Sequence, residues 1–185
     1  MIKDILHEAE TKMKKSVESV RSELTKIRSG KATTALLDAV KIDYYGTLTP
    51  LHQVANVSIP DSHTISIQPW EKNMLSVIEK AILVANLGFN PTNDGNVVRV
   101  SIPPLNEERR KDLVKLTKKF GEEGKISIRN IRRDEIDHIK KSEKAEHFSE
   151  DERKKGEHQL QQLTDKYIAE IDKLLLVKEK EIMEV

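Results

Sequence analysis

The stretch ISIRNIRRDE, residues 126–135, sets Arg129, Arg132 and Arg133 within five positions, with isoleucines between them. Arginine carries a planar, permanently charged guanidinium. Its fork of N–H donors fits phosphate oxygens in pairs, and its flat face stacks on bases. On a helix advancing about 100° per residue, Lys118, Lys125, Arg132, Arg133 and Lys140 all fall within about 60° of Arg129. Leu113, Leu116, Phe120 and Ile131 fall on the opposite side, with Ile128 near that side's border. The pattern predicts an apolar packing face and, across from it, a basic ridge several turns long that Glu122 and Ile136 interrupt. Two readings stay open on the pattern alone: a solvated face supported by ion pairs such as Asp137 with Lys141, or a rigid grip on folded RNA. Arginine rather than lysine at the centre of the ridge favours RNA. Arg132, placed on the ridge and away from Phe120, is expected to be removable without disturbing the core.

No residues suited to bond-making chemistry come together in the same way. His7, His52, His63, His138, His147 and His158 are scattered, without H-E-x-x-H or comparable metal spacing, and are expected at the surface or at boundaries. Asp38, Asp43, Asp61 and Asp94 sit at strand ends and turns, where aspartate serves the backbone. The SGKAT segment, residues 29–33, lacks the upstream glycine of a phosphate-binding loop, and no serine occupies a G-x-S-x-G elbow. The absence of cysteine excludes disulfides, thiol catalysis and Cys-ligated zinc. No catalytic residue, metal site or cofactor is expected. An RNA-processing enzyme would need a carboxylate cluster that the sequence does not present.

The elements that must carry the ridge follow from periodicity. Leu6, Met13, Val20 and Ile27 recur every seven residues, with Ile2, Ala9, Val17 and Leu24 beside them, which predicts a helix over 2–27 that needs partner helices. RSGK, residues 28–31, breaks it, with Gly30 as the stop. From there Val40, Ile42 and Tyr44, then Ala55, Val57 and Ile59, then Ile65 and Ile67 alternate as strands do. A helix follows on Met74, Val77, Ile78, Ala81, Ile82 and Ala85, then a turn-rich NPTNDGN and a strand on Val98, Val100 and Ile102. Trp70, the only tryptophan, is expected to pack where strand passes into helix, with a partner-binding role as the lesser alternative. After Pro103 and Pro104, Asn106 opens a helix running to about 145. Ser149 and Glu152 form a capping box for a last helix with a seam of Leu160, Leu163, Tyr167, Ile171 and Leu174. The expected fold is α+β with two domains. Residues 1–29 and 105–185 form a long antiparallel three-helix bundle, and residues 31–104 form a small inserted β/α/β domain.

Over 185 residues, 32 Lys and Arg nearly cancel 31 Asp and Glu, so any anion-binding surface must come from local segregation of charge. The N-terminal MIKDILHEAETKMKK carries acids rather than a signal-peptide core, and no run approaches the roughly 18 apolar residues of a membrane span, so a soluble cytoplasmic protein is expected.

Three blocks carry a specific resemblance. KIRSGKATTALLDAVKIDYYGTLTPLHQVANVSI (residues 26–59), NPTNDGNVVRVSIPPLNEERRKDLVK (90–115) and ISIRNIRRD (126–134) resemble, in order, the signature segments of bacterial ribosome recycling factors. The resemblance spans essentially the whole chain. It implies an L-shaped, tRNA-like protein in which a three-helix bundle joins a smaller domain through hinges near 28–31 and 102–106. The hinge residues are Ser29, Gly30, Lys31, Pro103, Pro104 and Leu105. It implies no enzymatic activity of its own. The protein would act with elongation factor G, whose GTPase supplies the energy, to split post-termination ribosomes into subunits for reuse. It further implies a monomer whose bundle lies on the large subunit, with Arg28, Arg129, Arg132 and Arg133 approaching ribosomal RNA beside the ridge lysines Lys118 and Lys125. The departure is Thr34, where the family usually carries proline, which puts the stiffness of the first hinge in question. The competing reading from the residues is a helical RNA- or protein-binding adaptor that uses its heptad seams on a partner.

Overall fold

The computed structural model describes residues 2–146 and 148–184, so His147 lies outside the described residues. The chain divides into two compact units, Met1–Ser29 with Glu107–Val185, and Gly30–Asn106. The first unit holds α1 (Ile2–Lys26), α4 (Glu107–Glu146) and α5 (Glu150–Met183); the second holds β1 (Lys41–Tyr44), β2 (Thr47–Pro50), α2 (Leu51–Val54), β3 (Ala55–Asp61), β4 (Thr64–Pro69), α3 (Leu75–Val84), β5 (Pro91–Asn93) and β6 (Val98–Ser101). The architecture is α+β.

In the helical unit, chain direction follows from the cross-helix pairs. Lys12 meets Glu135, Ser16 meets Ser127, and a side chain on Gly124 would meet Val20, so α1 and α4 run antiparallel. Arg132 meets Gln161 and Lys125 meets Asp172, so α4 and α5 also run antiparallel. Glu10 with Tyr167 and Ser29 with Glu181 then set α1 and α5 parallel. The turn into α5 is closed by a reciprocal cap. Ser149 Oγ accepts from Glu152 N at 3.2 Å, and Glu152 Oε2 accepts from Ser149 N at 2.9 Å.

The inner faces differ from the hydrophobic seams in one consistent way. On α4 the fully buried line is Leu113, Thr117, Gly121, Gly124, Ile128, Glu135, Ile139 and Ser142. Ile128, expected at the border, is at its centre, while Leu116 is exposed and Phe120 and Ile131 are half-buried. The face is rotated because small and polar residues, which a hydrophobic count passes over, occupy the positions of closest helix approach. A Cβ on Gly124 would clash with Val20 Cγ2 and lie 3.1 Å from Ile171 Cδ1; one on Gly121 would clash with Leu175. Thr117 and Thr164 bury their hydroxyls by donating to the carbonyls of Leu113 and Leu160, both at 2.8 Å. The α5 seam also shifts, from Leu163 and Leu174 onto Thr164 and Leu175, and on α1 Ile5 is buried where Leu6 is half-exposed. Glu135, 2% exposed, is satisfied by Lys12 Nζ at 2.7 Å and by His138 Nδ1 at 3.3 Å. That carboxylate holds the Lys12 ammonium well above the usual lysine range.

The second unit is built on a four-stranded antiparallel sheet in the order β3-β4-β6-β5 beside the β1–β2 hairpin. Ile67 stands opposite Val57 and Val98, and Ile65 opposite Val100. Ile65, Ile67, Val98 and Val100 therefore share a face, and they are buried with Ile78 and Ile82 of α3 in one core. The turn-rich segment after α3 also forms the edge strand β5, because Thr92 and Asn93 pair with Arg99 and Val98 of β6. The segments that enter and leave this unit are both tied to the β3–β4 turn: Ala32 N donates to Ser62 O at 2.8 Å, and Ile102 N donates to His63 O at 2.7 Å.

Two substitutions test these placements. Alanine is favoured over glycine in a helix by about 1 kcal/mol, yet at Gly124 its methyl must displace two buried, branched side chains at a typical cost of about 1–3 kcal/mol. Gly124→Ala is therefore expected to lower the denaturant midpoint of the helical signal, and a rise would contradict the close packing. Thr34 opens a 3-10 turn whose preceding residue, Thr33, is extended at φ −138° and ψ 146°. This is the position and the neighbour that proline accepts. Thr34→Pro is expected to stabilise the second unit by about 0.4–1 kcal/mol, measured by chemical denaturation.

Candidate nucleic-acid interface

Rotation of the α4 core face divides the basic ridge into two rows. Lys118, Arg129, Arg133 and Lys140 are exposed, and none makes a hydrogen bond or ion pair among the described residues. Arg132 and Lys125 instead lie half-buried at the edge where α4 meets α5. Ser16 Oγ lies 3.0 Å from Ser127 Oγ. Arg28, exposed just beyond α1, is therefore roughly 20–27 Å further along the bundle from the arginine cluster, given a rise of about 1.5 Å per residue. The expected support of the ridge by Asp137 with Lys141 is not formed among the described residues.

The two edge cations are held by different chemistry. Lys125 Nζ lies 2.5 Å from Asp172 Oδ1 and 3.3 Å from Glu122 Oε1. The Asp172 hydrogen bond, outweighing burial, raises its pKa. Its charge is answered within the protein. Arg132 Nη1 donates to the neutral amide oxygen of Gln161 at 2.6 Å, and Gln161 Nε2 donates to Asp165 Oδ1 at 2.7 Å. Arg132 Nε is enclosed and has no hydrogen-bond partner among the described residues. The expectation that Arg132 stands clear of the helix packing is thereby corrected: its stem is part of the α4–α5 edge. Sequence reasoning missed Gln161, Asp165 and Asp172, because nothing in the spacing of α5 alone says which of its residues stand beside the ridge.

In the second unit the aspartates do what turn residues do. Asp43 Oδ1 accepts from Gly46 N, Asp61 Oδ1 from His63 N, and Asp94 Oδ1 from Asn96 N and Val97 N. These backbone donors hold Asp61 and Asp94 below the usual carboxylate range. No group of three or more His, Asp or Glu able to hold a metal occurs among the described residues. Trp70 is 69% exposed rather than packed. It borders a cavity of about 240 Å³ with Tyr44 and Glu71. Tyr44 and Tyr45 both donate their hydroxyls to Glu71, at 2.7 and 3.0 Å, and these bonds, Tyr44 foremost, lower the Glu71 pKa.

At the junctions, Ser29 Oγ donates to Glu181 Oε1 at 2.6 Å. Gly30 adopts φ +78°, and a Cβ there would lie 2.9 Å from Leu105 Cγ. Lys31 is half-buried, Pro103 and Pro104 are exposed, and Leu105 is half-buried. Among the described residues no helix is long and apolar enough to cross a membrane.

Comparison with known proteins gives one consistent result. The family described as ribosome recycling factor matches residues 20–183. The ribosome-recycling factor of Clostridium novyi is 54% identical over 185 residues, covering all of both chains, and that of Oleidesulfovibrio alaskensis is 50% identical over 181 residues, covering 98% of each. Among solved structures, a solution structure of the ribosome recycling factor aligns at TM-score 0.78 with 47% identity, covering 100% of this chain and 98% of that one. A second structure, described as models for the Thermus thermophilus ribosome recycling factor and the Escherichia coli elongation factor G bound to the Escherichia coli post-termination complex, aligns at TM-score 0.65 with 45% identity, covering all of both chains. The chain belongs to the ribosome recycling factor family, whose members are non-enzymatic translation factors.

Proposed function

We propose that this chain disassembles the post-termination ribosomal complex together with elongation factor G and GTP, splitting it into subunits for reuse. The observation that carries the reading is the end-to-end match to a factor seen with elongation factor G on that complex. The chain acts in the cytoplasm as a monomer. It contributes binding and leverage, and the partner GTPase contributes the chemical energy.

In this reading the α4 ridge is the contact with ribosomal RNA of the large subunit. The guanidinium groups of Arg129 and Arg133 and the Lys118 ammonium, unpaired among the described residues, carry positive charge for which a phosphate surface supplies the counter-charge. Arg132 adds a guanidinium on a fixed stem, and Arg28 a contact further along the bundle. Lys125 contributes least, because Asp172 and Glu122 already neutralise it. The segments around Ser29–Lys31 and Pro103–Leu105 serve as the hinges.

Splitting of a post-termination complex, with chain, elongation factor G and GTP each omitted in turn, is the direct test; release that is unchanged without the chain overturns the reading. For the ridge, losing one charged hydrogen bond to phosphate costs roughly 1.5–3 kcal/mol, or about ten- to a hundredfold in affinity. Arg132→Ala is expected to fall in that range on large subunits, with Arg132→Lys in between because it keeps charge and loses the fork. Arg129→Ala is expected to weaken binding and to make its salt dependence shallower by about one contact, whereas Lys125→Ala leaves the salt slope nearly unchanged. Equal slopes for all variants would remove the ridge from the interface. For the hinge, Gly30→Val strains a positive φ and crowds Leu105. It is expected to slow splitting while α1, α4 and α5 melt near their original temperature; slow splitting that merely tracks unfolding would make Gly30 a folding residue only.

A further inference from the structure

We infer that Gln161, itself oriented by Asp165, is a positioning residue that holds the Arg132 guanidinium ready for an RNA phosphate without neutralising its charge. The inference rests on the reading of the ridge as an RNA contact and adds to it a residue on a different helix. A long arginine on a helix edge has many rotamers, and ordering it on binding costs affinity. Here the ordering is done beforehand. The enclosed Nε fixes the stem at the α4–α5 edge, and the 2.6 Å bond from Nη1 to Gln161 Oε1 fixes the plane of the fork. The remaining terminal N–H donors have no partner among the described residues.

The chemistry of the holder matters as much as its position. Seven residues earlier on α4, Lys125 is held by a carboxylate, which cancels its charge. At Arg132 the holder is an amide oxygen, which accepts a hydrogen bond yet leaves a full positive charge facing outward. An amide can present either oxygen or NH2, and the wrong face would repel a guanidinium. Asp165, one turn along α5, settles this by accepting from Gln161 Nε2 at 2.7 Å, so that Oε1 is the atom turned to Arg132. The negative charge of Asp165 thus lies one group removed from Arg132, where it orients the amide and leaves the guanidinium unpaired.

The test is affinity for isolated large ribosomal subunits at several salt concentrations, beside thermal melts, for Gln161→Leu, Gln161→Met, Gln161→Glu, Arg132→Ala and the double variant Arg132→Ala with Gln161→Leu. Gln161→Leu and Gln161→Met, which remove the acceptor in two shapes, are each expected to weaken binding about three- to tenfold at an unchanged melting temperature. Gln161→Glu keeps the acceptor and adds a charge, so it should hold the arginine, weaken binding most at low salt, and make the salt slope shallower by about one contact. In the Arg132→Ala background, Gln161→Leu should have no further effect. If Gln161→Leu and Gln161→Met bind like the parent while Arg132→Ala does not, the positioning role is wrong and the RNA contact stands. If the Gln161→Leu loss persists undiminished without Arg132, or follows a lowered melting temperature in both variants, Gln161 acts by another route and the inference is overturned. If Arg132→Ala itself binds like the parent, the RNA contact at this position falls, and the positioning role with it.

Discussion

How closely α4 can approach α1 and α5 at once determines where every other side chain of the bundle stands. At Gly121 and Gly124 there is no room for a Cβ, since Leu175 of α5 and Val20 of α1 already fill the space. A helix with bulky residues on that line would be held away from both partners, because helix surfaces meet by interdigitating side chains and the distance is set by what stands at the contact. Thr117 and Ser142 continue the small stripe, and the threonine satisfies its hydroxyl on its own helix. Leu113, Ile128 and Ile139 share that line, while Phe120 and Ile131 on one side and Lys125 and Arg132 on the other are left half-buried at its margins.

That displacement makes the basic ridge more than a solvated face. The residues on its crest have no ion-pair partner among the described residues, which leaves a concentrated positive surface on a chain whose overall charge is nearly balanced. The residues at its flank are structural and electrostatic at the same time. Lys125 is neutralised by Asp172, whereas Arg132 is oriented by Gln161. Two cations seven residues apart on one helix thus differ in what they can offer a phosphate, because one faces a carboxylate and the other an amide.

At the junction between the two units, neighbouring residues belong to different bodies. Ser29 donates to Glu181 of α5, while Gly30 offers its carbonyl to His63 Nδ1 at 3.1 Å and lies against Leu105. The β3–β4 turn takes hydrogen bonds from both Ala32 and Ile102, so the entering and leaving segments of the second unit are secured at one place. A β-branched residue at position 30 would meet both the backbone penalty of positive φ and the Leu105 side chain, which makes glycine there a requirement of the junction itself.

The sequence by itself determined the element types, the order of the two textures, the capping box at Ser149, the turn roles of Asp43, Asp61 and Asp94, and the family. All of these are set by interactions within a few residues of one another or by long ordered motifs, so periodicity and local chemistry suffice to read them. Only the tertiary structure decided which way α4 faces, because Gly, Thr, Ser and Glu, residues without a hydrophobic signal, share its contact line with Leu113, Ile128 and Ile139. For the same reason Ile128 moved from border to centre and Leu116 from core to surface. The edge strand β5 needed β6 as a partner before its turn-rich residues could be strand. The pairings of Arg132 with Gln161 and Lys125 with Asp172 depend on the register of two helices, and register is a property of packing rather than of either helix alone.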